Sequence, residues 1–92
     1  MTNFEVKNIV FLVSGGGSNL KFAYYLNKNN NYGFRLICIA DRECEALEFA
    51  KHVRIENFKI NLGKNNQEEL LRLLLFLKPD LVITNIHKII AK

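Results

Sequence analysis

The sequence predicts an α/β fold built on a parallel sheet, and three observations carry that prediction. Short apolar, β-branched runs alternate with stretches of helical periodicity. The runs are continuous rather than alternating, the pattern of strands buried on both faces. A glycine-rich segment, Ser14-Gly15-Gly16-Gly17-Ser18, joins the first run to the first helical stretch. With short connections and right-handed crossovers, the pattern reads as a Rossmann-like sheet of about four strands in the order 3-2-1-4, with helices on both faces. It stops after the fourth strand.

Each element follows from local chemistry. Residues 8–13 (Asn-Ile-Val-Phe-Leu-Val) form the first strand. After the glycines, Leu20, Ala23 and Tyr24 fall at helical spacing, with Phe22 and Leu26 as a second pair beside them, until residues 29–33 (Asn-Asn-Asn-Tyr-Gly) break the helix. Residues 34–40 make the second strand, and Asp41 is placed to cap a helix whose apolar face is Ala46, Leu47, Phe49, Ala50 and Val53. A short third strand fits residues 57–60. A third helix starts at 65–68 and runs through Leu70, Leu71, Leu73, Leu74 and Leu77; it must stop before Pro79, which pushes its predecessor out of the α region. Residues 81–84 (Leu-Val-Ile-Thr) make the fourth strand, with no helix after it to cover it.

Ninety-two residues suffice for one domain, read as spanning 1–92, and 49% hydrophobic with 24% charged residues is the balance of a globular chain rather than a disordered one. The net charge of +4 comes from scattered lysines separated by apolar and acidic residues. Nucleic-acid binding prefers a basic stripe, so the charge reads as a solvated surface that favours small anions. Cys38 and Cys44 match neither a zinc pair nor a Cys-x-x-Cys motif and read as reduced structural thiols, so no metal is expected. The N-terminus carries no signal-peptide pattern, and no apolar run approaches the roughly 18 residues of a membrane span, which makes the cytoplasm the expected location. His52, between Lys51 and Val53, reads as a surface residue.

The glycine segment has the chemistry of an anion site. A phosphate needs several N–H donors converging at close range, which a Cβ would obstruct. Gly15, Gly16 and Gly17 remove that obstruction and permit a tight strand-to-helix turn, while Ser18 and Asn19 sit at the start of a helix whose dipole favours an anion. A tight turn with a serine cap and no ligand is the plain alternative. The dinucleotide fingerprint Gly-x-Gly-x-x-Gly is met at Gly15 and Gly17 but broken by Leu20, and the Gly-Lys-Ser/Thr ending of a P-loop is missing. Asp41 lies where a dinucleotide site keeps its ribose-binding acid, but a helix beginning directly after it favours the cap role.

Residues 9–20 (Ile-Val-Phe-Leu-Val-Ser-Gly-Gly-Gly-Ser-Asn-Leu) resemble the opening of the phosphoribosylglycinamide formyltransferase family, whose loop reads Ser-Gly-x-Gly-Ser-Asn-Leu. Residues 46–50 (Ala-Leu-Glu-Phe-Ala) and 78–83 (Lys-Pro-Asp-Leu-Val-Ile) resemble its second helix and the approach to its fourth strand. The resemblance spans nearly the whole chain but only about the first half of the family's domain. It implies formyl transfer from 10-formyltetrahydrofolate to the amine of glycinamide ribonucleotide, in purine synthesis, with Gly16, Gly17, Ser18 and Asn19 holding the phosphate of that small-molecule substrate. The family's folate pocket draws on the segment after the fourth strand, usually Gly-Phe-Met-Arg-Ile-Leu. The counterpart here is Asn85-Ile86-His87-Lys88-Ile89-Ile90, so His87, Lys88 and Ile90 are the implied pocket residues, with His87 in place of a methionine and Lys88 of an arginine. The tripeptide Asn85-Ile86-His87 repeats the family's Asn-x-His, but it follows the strand directly and lacks the Pro-Ser-Leu that comes next, so no residue of this chain is assigned as catalytic.

Three functions fit these readings. The first is the phosphate-binding part of such a formyltransferase, inactive by itself. The second is a formyltransferase for another amine, an amino sugar or a hydroxyornithine. The third is a non-enzymatic nucleotide- or phosphate-binding module that pairs, with itself or another chain, through its uncovered sheet edge.

Overall fold

A computed structural model describes residues 7–60 and 67–85. Strand β1 (Asn8–Val13) leads through the glycine turn into helix α1 (Ser18–Asn30); strand β2 (Arg35–Ala40), helix α2 (Glu45–His52), strand β3 (Glu56–Lys59), helix α3 (Gln67–Leu77) and strand β4 (Leu81–Asn85) follow. The strands form one parallel sheet in the order β3-β2-β1-β4, the Rossmann-like arrangement that the sequence implies.

Burial explains why the strands read as unbroken apolar runs. Ile9, Phe11 and Val13 of β1, with Leu36, Cys38 and Ala40 of β2, face α1 and α2 and pack on Leu20, Ala46, Leu47 and Ala50. Val10, Leu12, Ile37 and Ile39 face the other way and pack on Leu70 and Leu77 of α3. Both faces of β1 and β2 are therefore covered, and their inner side chains exclude water almost completely. No described helix is long and apolar enough to cross a membrane.

Polar contacts pin the ends of the sheet. Asp80 accepts hydrogen bonds from the backbone N–H groups of Lys7 (2.9 Å) and Asn8 (2.8 Å), and its own N–H donates to the Asn8 carbonyl (2.8 Å), so the approach to β4 is stapled to the start of β1. Those two donors, Asn8 first and Lys7 second, hold the Asp80 carboxyl below the ordinary carboxylate range. Arg35 meets Glu56 with two parallel bonds of 2.9 and 2.8 Å, joining β2 to β3. Glu43 is likewise lowered, chiefly by its bond from Lys59 and then by the charges of Lys51 and Lys59.

Three local details differ from the sequence reading. Asp41 does not cap α2: the cap position is Cys44 in extended backbone, without a side-chain bond, and Asp41 pairs instead with its neighbour Arg42 at 3.2 Å. The helix starts later because the Ala46 N–H donates to the Gly15 carbonyl at 2.9 Å, tying its first turn to the glycine segment. Phe22 and Leu26, the second apolar pair of α1, remain exposed, as does Leu71 of α3. Asn31, Arg54 and Lys78, following α1, α2 and α3, all adopt left-handed backbone (φ 54°, 67° and 52°), a place where glycine is the usual residue.

Candidate functional site: a glycine turn at the head of the sheet

The site follows from what β1 must do at its end. Val13 is fully buried between Ala40 of β2 and Asn85 of β4. The chain then has to leave the sheet and enter a helix within four residues. It does so through Gly17, which sits in left-handed backbone (φ 68°, ψ 42°) at the cap of α1. A Cβ on Gly17 would lie 2.4 Å from the Cβ of Ala46 and 3.3 Å from its Cα, so conformation and packing both demand glycine there. Gly16 differs: a Cβ would meet only Glu45 Oε1, at 3.6 Å, and a Cβ on Gly15 would meet nothing within 4 Å. The outer two glycines leave an open approach, and the inner one makes the turn.

Ser18 and Asn19 are the first two residues of α1 and are exposed, as the sequence places them. The first N–H groups of a helix lack intrahelical acceptors. Here no side chain caps them and no acidic residue occupies the first turn. The first backbone bond back into the turn is that of the Lys21 N–H to the Gly17 carbonyl, at 3.0 Å. Gly16, Ser18 and Asn19 thus form an exposed, donor-rich corner, with Gly17 buried beneath it against Ala46. Two groups that the motif did not single out stand beside it. Lys21 Nζ binds Glu45 Oε2 at 3.0 Å, so the carboxylate nearest the glycines carries its own counter-charge. The spacing of Lys21 one turn into α1 was visible in sequence; its meeting with Glu45, 24 residues away, depends on tertiary packing.

The corner also lies at the topological switch point. From β1 the chain moves outward through β2 to β3, and then returns across the sheet to β4 on the other side of β1. Connections diverge on either side of the β1 carboxyl end, leaving there the crevice in which open α/β sheets hold ligands. His87, Lys88 and Ile90 lie outside the described residues.

Other features of the described residues do not compete. An open cleft of about 500 Å³ at the opposite end of the sheet is lined by Tyr24, Asn27, Arg35, Arg54 and Glu56, but Arg35 and Glu56 already satisfy one another. Burial, with a smaller effect of Cys44, pushes the Cys38 thiol up to about 12, which removes it as a nucleophile. No group of three or more His, Cys, Asp or Glu among the described residues is placed to hold a metal ion.

Fold and turn together define a Rossmann-like α/β unit with a glycine turn at its switch point. No protein-family model matches the chain, and no curated protein does. Among solved structures it is similar to the phosphoribosylglycinamide formyltransferase of Coxiella burnetii, determined in complex with CHES, with a TM-score of 0.76 and 21% identity. The match covers 96% of this chain and 45% of that one, so the chain spans less than half of the enzyme's length. At this identity the likeness establishes a shared fold.

Proposed function

We propose that this chain is the phosphate-binding part of a folate-dependent formyltransferase, and that Gly16, Gly17, Ser18 and Asn19 hold the phosphate of a small-molecule substrate such as glycinamide ribonucleotide. The observation that carries the reading is the uncapped start of α1 behind a Cβ-free approach, placed at the switch point of a sheet similar to that of a phosphoribosylglycinamide formyltransferase. The backbone N–H groups supply directed donors, the helix dipole favours the negative charge, and Lys21 offsets the Glu45 carboxylate that would otherwise repel it. A ribose phosphate suits the turn better than a dinucleotide, because the third glycine of the dinucleotide fingerprint, which lets the helix pack closely on the strand, is replaced by Leu20, whose side chain is buried in the core.

10-Formyltetrahydrofolate is the formyl donor in this reading, and the amine of the ribonucleotide the acceptor. The described residues bring a carboxylate beside the turn, that of Glu45, and Lys21 holds it in an ion pair. Their part is to bind and orient, and the 92 residues alone bind phosphate without transferring a formyl group.

Calorimetric titration separates these claims. Glycinamide ribonucleotide binds and its dephosphorylated riboside does not. Gly16→Val, whose Cβ the fold accommodates, abolishes the binding while leaving the thermal unfolding midpoint nearly unchanged. Equal binding of both ligands, or undiminished binding by the folded variant, would refute the phosphate assignment. Folate-dependent formyl transfer by the purified chain would refute its inactivity.

A further inference from the structure

The glycine turn has a charged wall, and α2 supplies it. The Ala46 N–H donates to the Gly15 carbonyl at 2.9 Å, and the Ala46 Cβ fills the space that a side chain at position 17 would need. Residue 45 is therefore anchored beside the turn through the backbone of its neighbour. It is an exposed glutamate whose two oxygens have different surroundings. Oε2 accepts from Lys21 Nζ at 3.0 Å. Oε1 lies 3.6 Å from where a Cβ on Gly16 would stand, and among the described residues it is the only side-chain atom within 4 Å of that point. No described residue donates a hydrogen bond to it.

Lys21 is itself held by two groups of α2. Its ammonium binds Glu45 and stands over the ring of Phe49, 5.8 Å from the centroid and one turn along the helix. Phe49 in turn packs edge-on against Tyr24, with ring centroids 5.5 Å apart. A glutamate in the first turn of a helix can favour that helix's dipole from any rotamer. Here the Lys21 ammonium draws the carboxylate toward α1 and the glycines. From a distance the pair is neutral. At the mouth of the turn it is not, because the ammonium lies more than 4 Å from the position that Oε1 contacts.

An ionised carboxylate oxygen accepts hydrogen bonds and donates none. It therefore treats anions unequally. A phosphate monoester seated on the start of α1 can turn its uncharged, hydroxyl-bearing end toward Oε1. A pyrophosphate must bring a second charged phosphate into the same corner, where like charges repel.

We propose, on the footing of the phosphate assignment, that Glu45 is a specificity-determining residue of the glycine turn and Lys21 its positioning residue. Together they admit phosphate monoesters and disfavour pyrophosphates. Discrimination of this kind works by charge and is screened by salt, whereas any exclusion through the buried Leu20 works by shape and is not.

The test titrates the 92-residue chain calorimetrically with ribose 5-phosphate and with pyrophosphate, at neutral pH, low ionic strength and without divalent cations. The wild-type chain binds ribose 5-phosphate more tightly. Glu45→Gln narrows the ratio of the two dissociation constants by at least about threefold, chiefly by strengthening pyrophosphate, and added salt erases most of that difference. Lys21→Met keeps an apolar stem over Phe49 but leaves Glu45 unpaired, and it widens the ratio instead. Neither side chain is buried, so both variants keep the wild-type unfolding midpoint to within a few degrees. An unchanged ratio in Glu45→Gln, with both ligands still binding, would overturn the proposal and leave the phosphate assignment standing. Binding of neither ligand by the wild-type chain would overturn both.

Discussion

Val10 and Val82 are the same residue, paired across adjacent strands and pointing to the same face of one sheet, and they live in different environments. Val10 is fully buried, while Val82 is 38% exposed. The difference lies in what stands in front of each. Helix α3 closes over β1 and β2 through Leu70 and Leu77 and leaves β4 half-covered. The strand's composition is suited to a cover that its surroundings supply only in part. Sequence specifies the burial a strand can tolerate, and the neighbouring elements decide how much it receives.

The same contrast holds within the turn that follows β1. Its carboxyl end turns through Gly17 against Ala46 with no space to spare, whereas the adjoining Gly16 and Gly15 face open solvent. The largest effect is therefore expected at Gly17. Gly17→Ala forces a Cβ into Ala46 and a left-handed conformation on alanine, and should cost about 3 kcal/mol by urea denaturation. The mirror substitution Gly16→Ala should change stability by less than about 0.5 kcal/mol. Equal effects at the two positions would dissolve the distinction between packing glycine and approach glycine.

The valine pair comes next. Val10→Ala should lose about 2–3 kcal/mol, from the buried methyl groups and the cavity left behind. Val82→Ala should lose less than about 1 kcal/mol in the isolated chain.

A third effect separates the staple at the foot of the sheet from the open head. The two backbone donors hold Asp80 more readily ionised in the folded protein than in the unfolded chain, whose aspartates titrate near pH 3.9. Its contribution is therefore present above about pH 4 and is lost as pH falls through the lower folded value. Asp80→Asn should lower stability at neutral pH and flatten that acid limb. An unaltered acid limb would mean the staple is energetically silent. The smallest effect is a gain: Arg54→Gly and Lys78→Gly relieve left-handed backbone and should each stabilise by about 0.5–1 kcal/mol, visible as a raised unfolding midpoint.

Much of this architecture was legible in sequence, for identifiable reasons. The runs at 8–13 and 81–84 could be read as strands because strands meant for two-sided burial lose their alternation. The stop of α3 before Pro79 was written in the backbone chemistry of proline. The glycine turn was legible because few residues can leave a buried strand and start a helix so quickly. Asp41 misled, since it has the chemistry of a cap. The start of α2 is instead set by the bond from Ala46 to Gly15, between residues distant in sequence. Phe22 and Leu26 kept their helical spacing, but periodicity reports an apolar stripe without saying whether anything covers it. The pairing of Lys21 with Glu45 was hidden for the same tertiary reason.

The central claim concerns the open head of the sheet, and one measurement addresses it most directly: titration of inorganic phosphate into isotopically labelled protein, following every backbone amide. The account predicts saturable millimolar shifts confined to Gly16, Gly17, Ser18, Asn19 and their immediate neighbours, with residues 81–85 and the Arg35–Glu56 cleft unmoved. Silent turn amides at saturating phosphate, or larger shifts at that cleft, would contradict it.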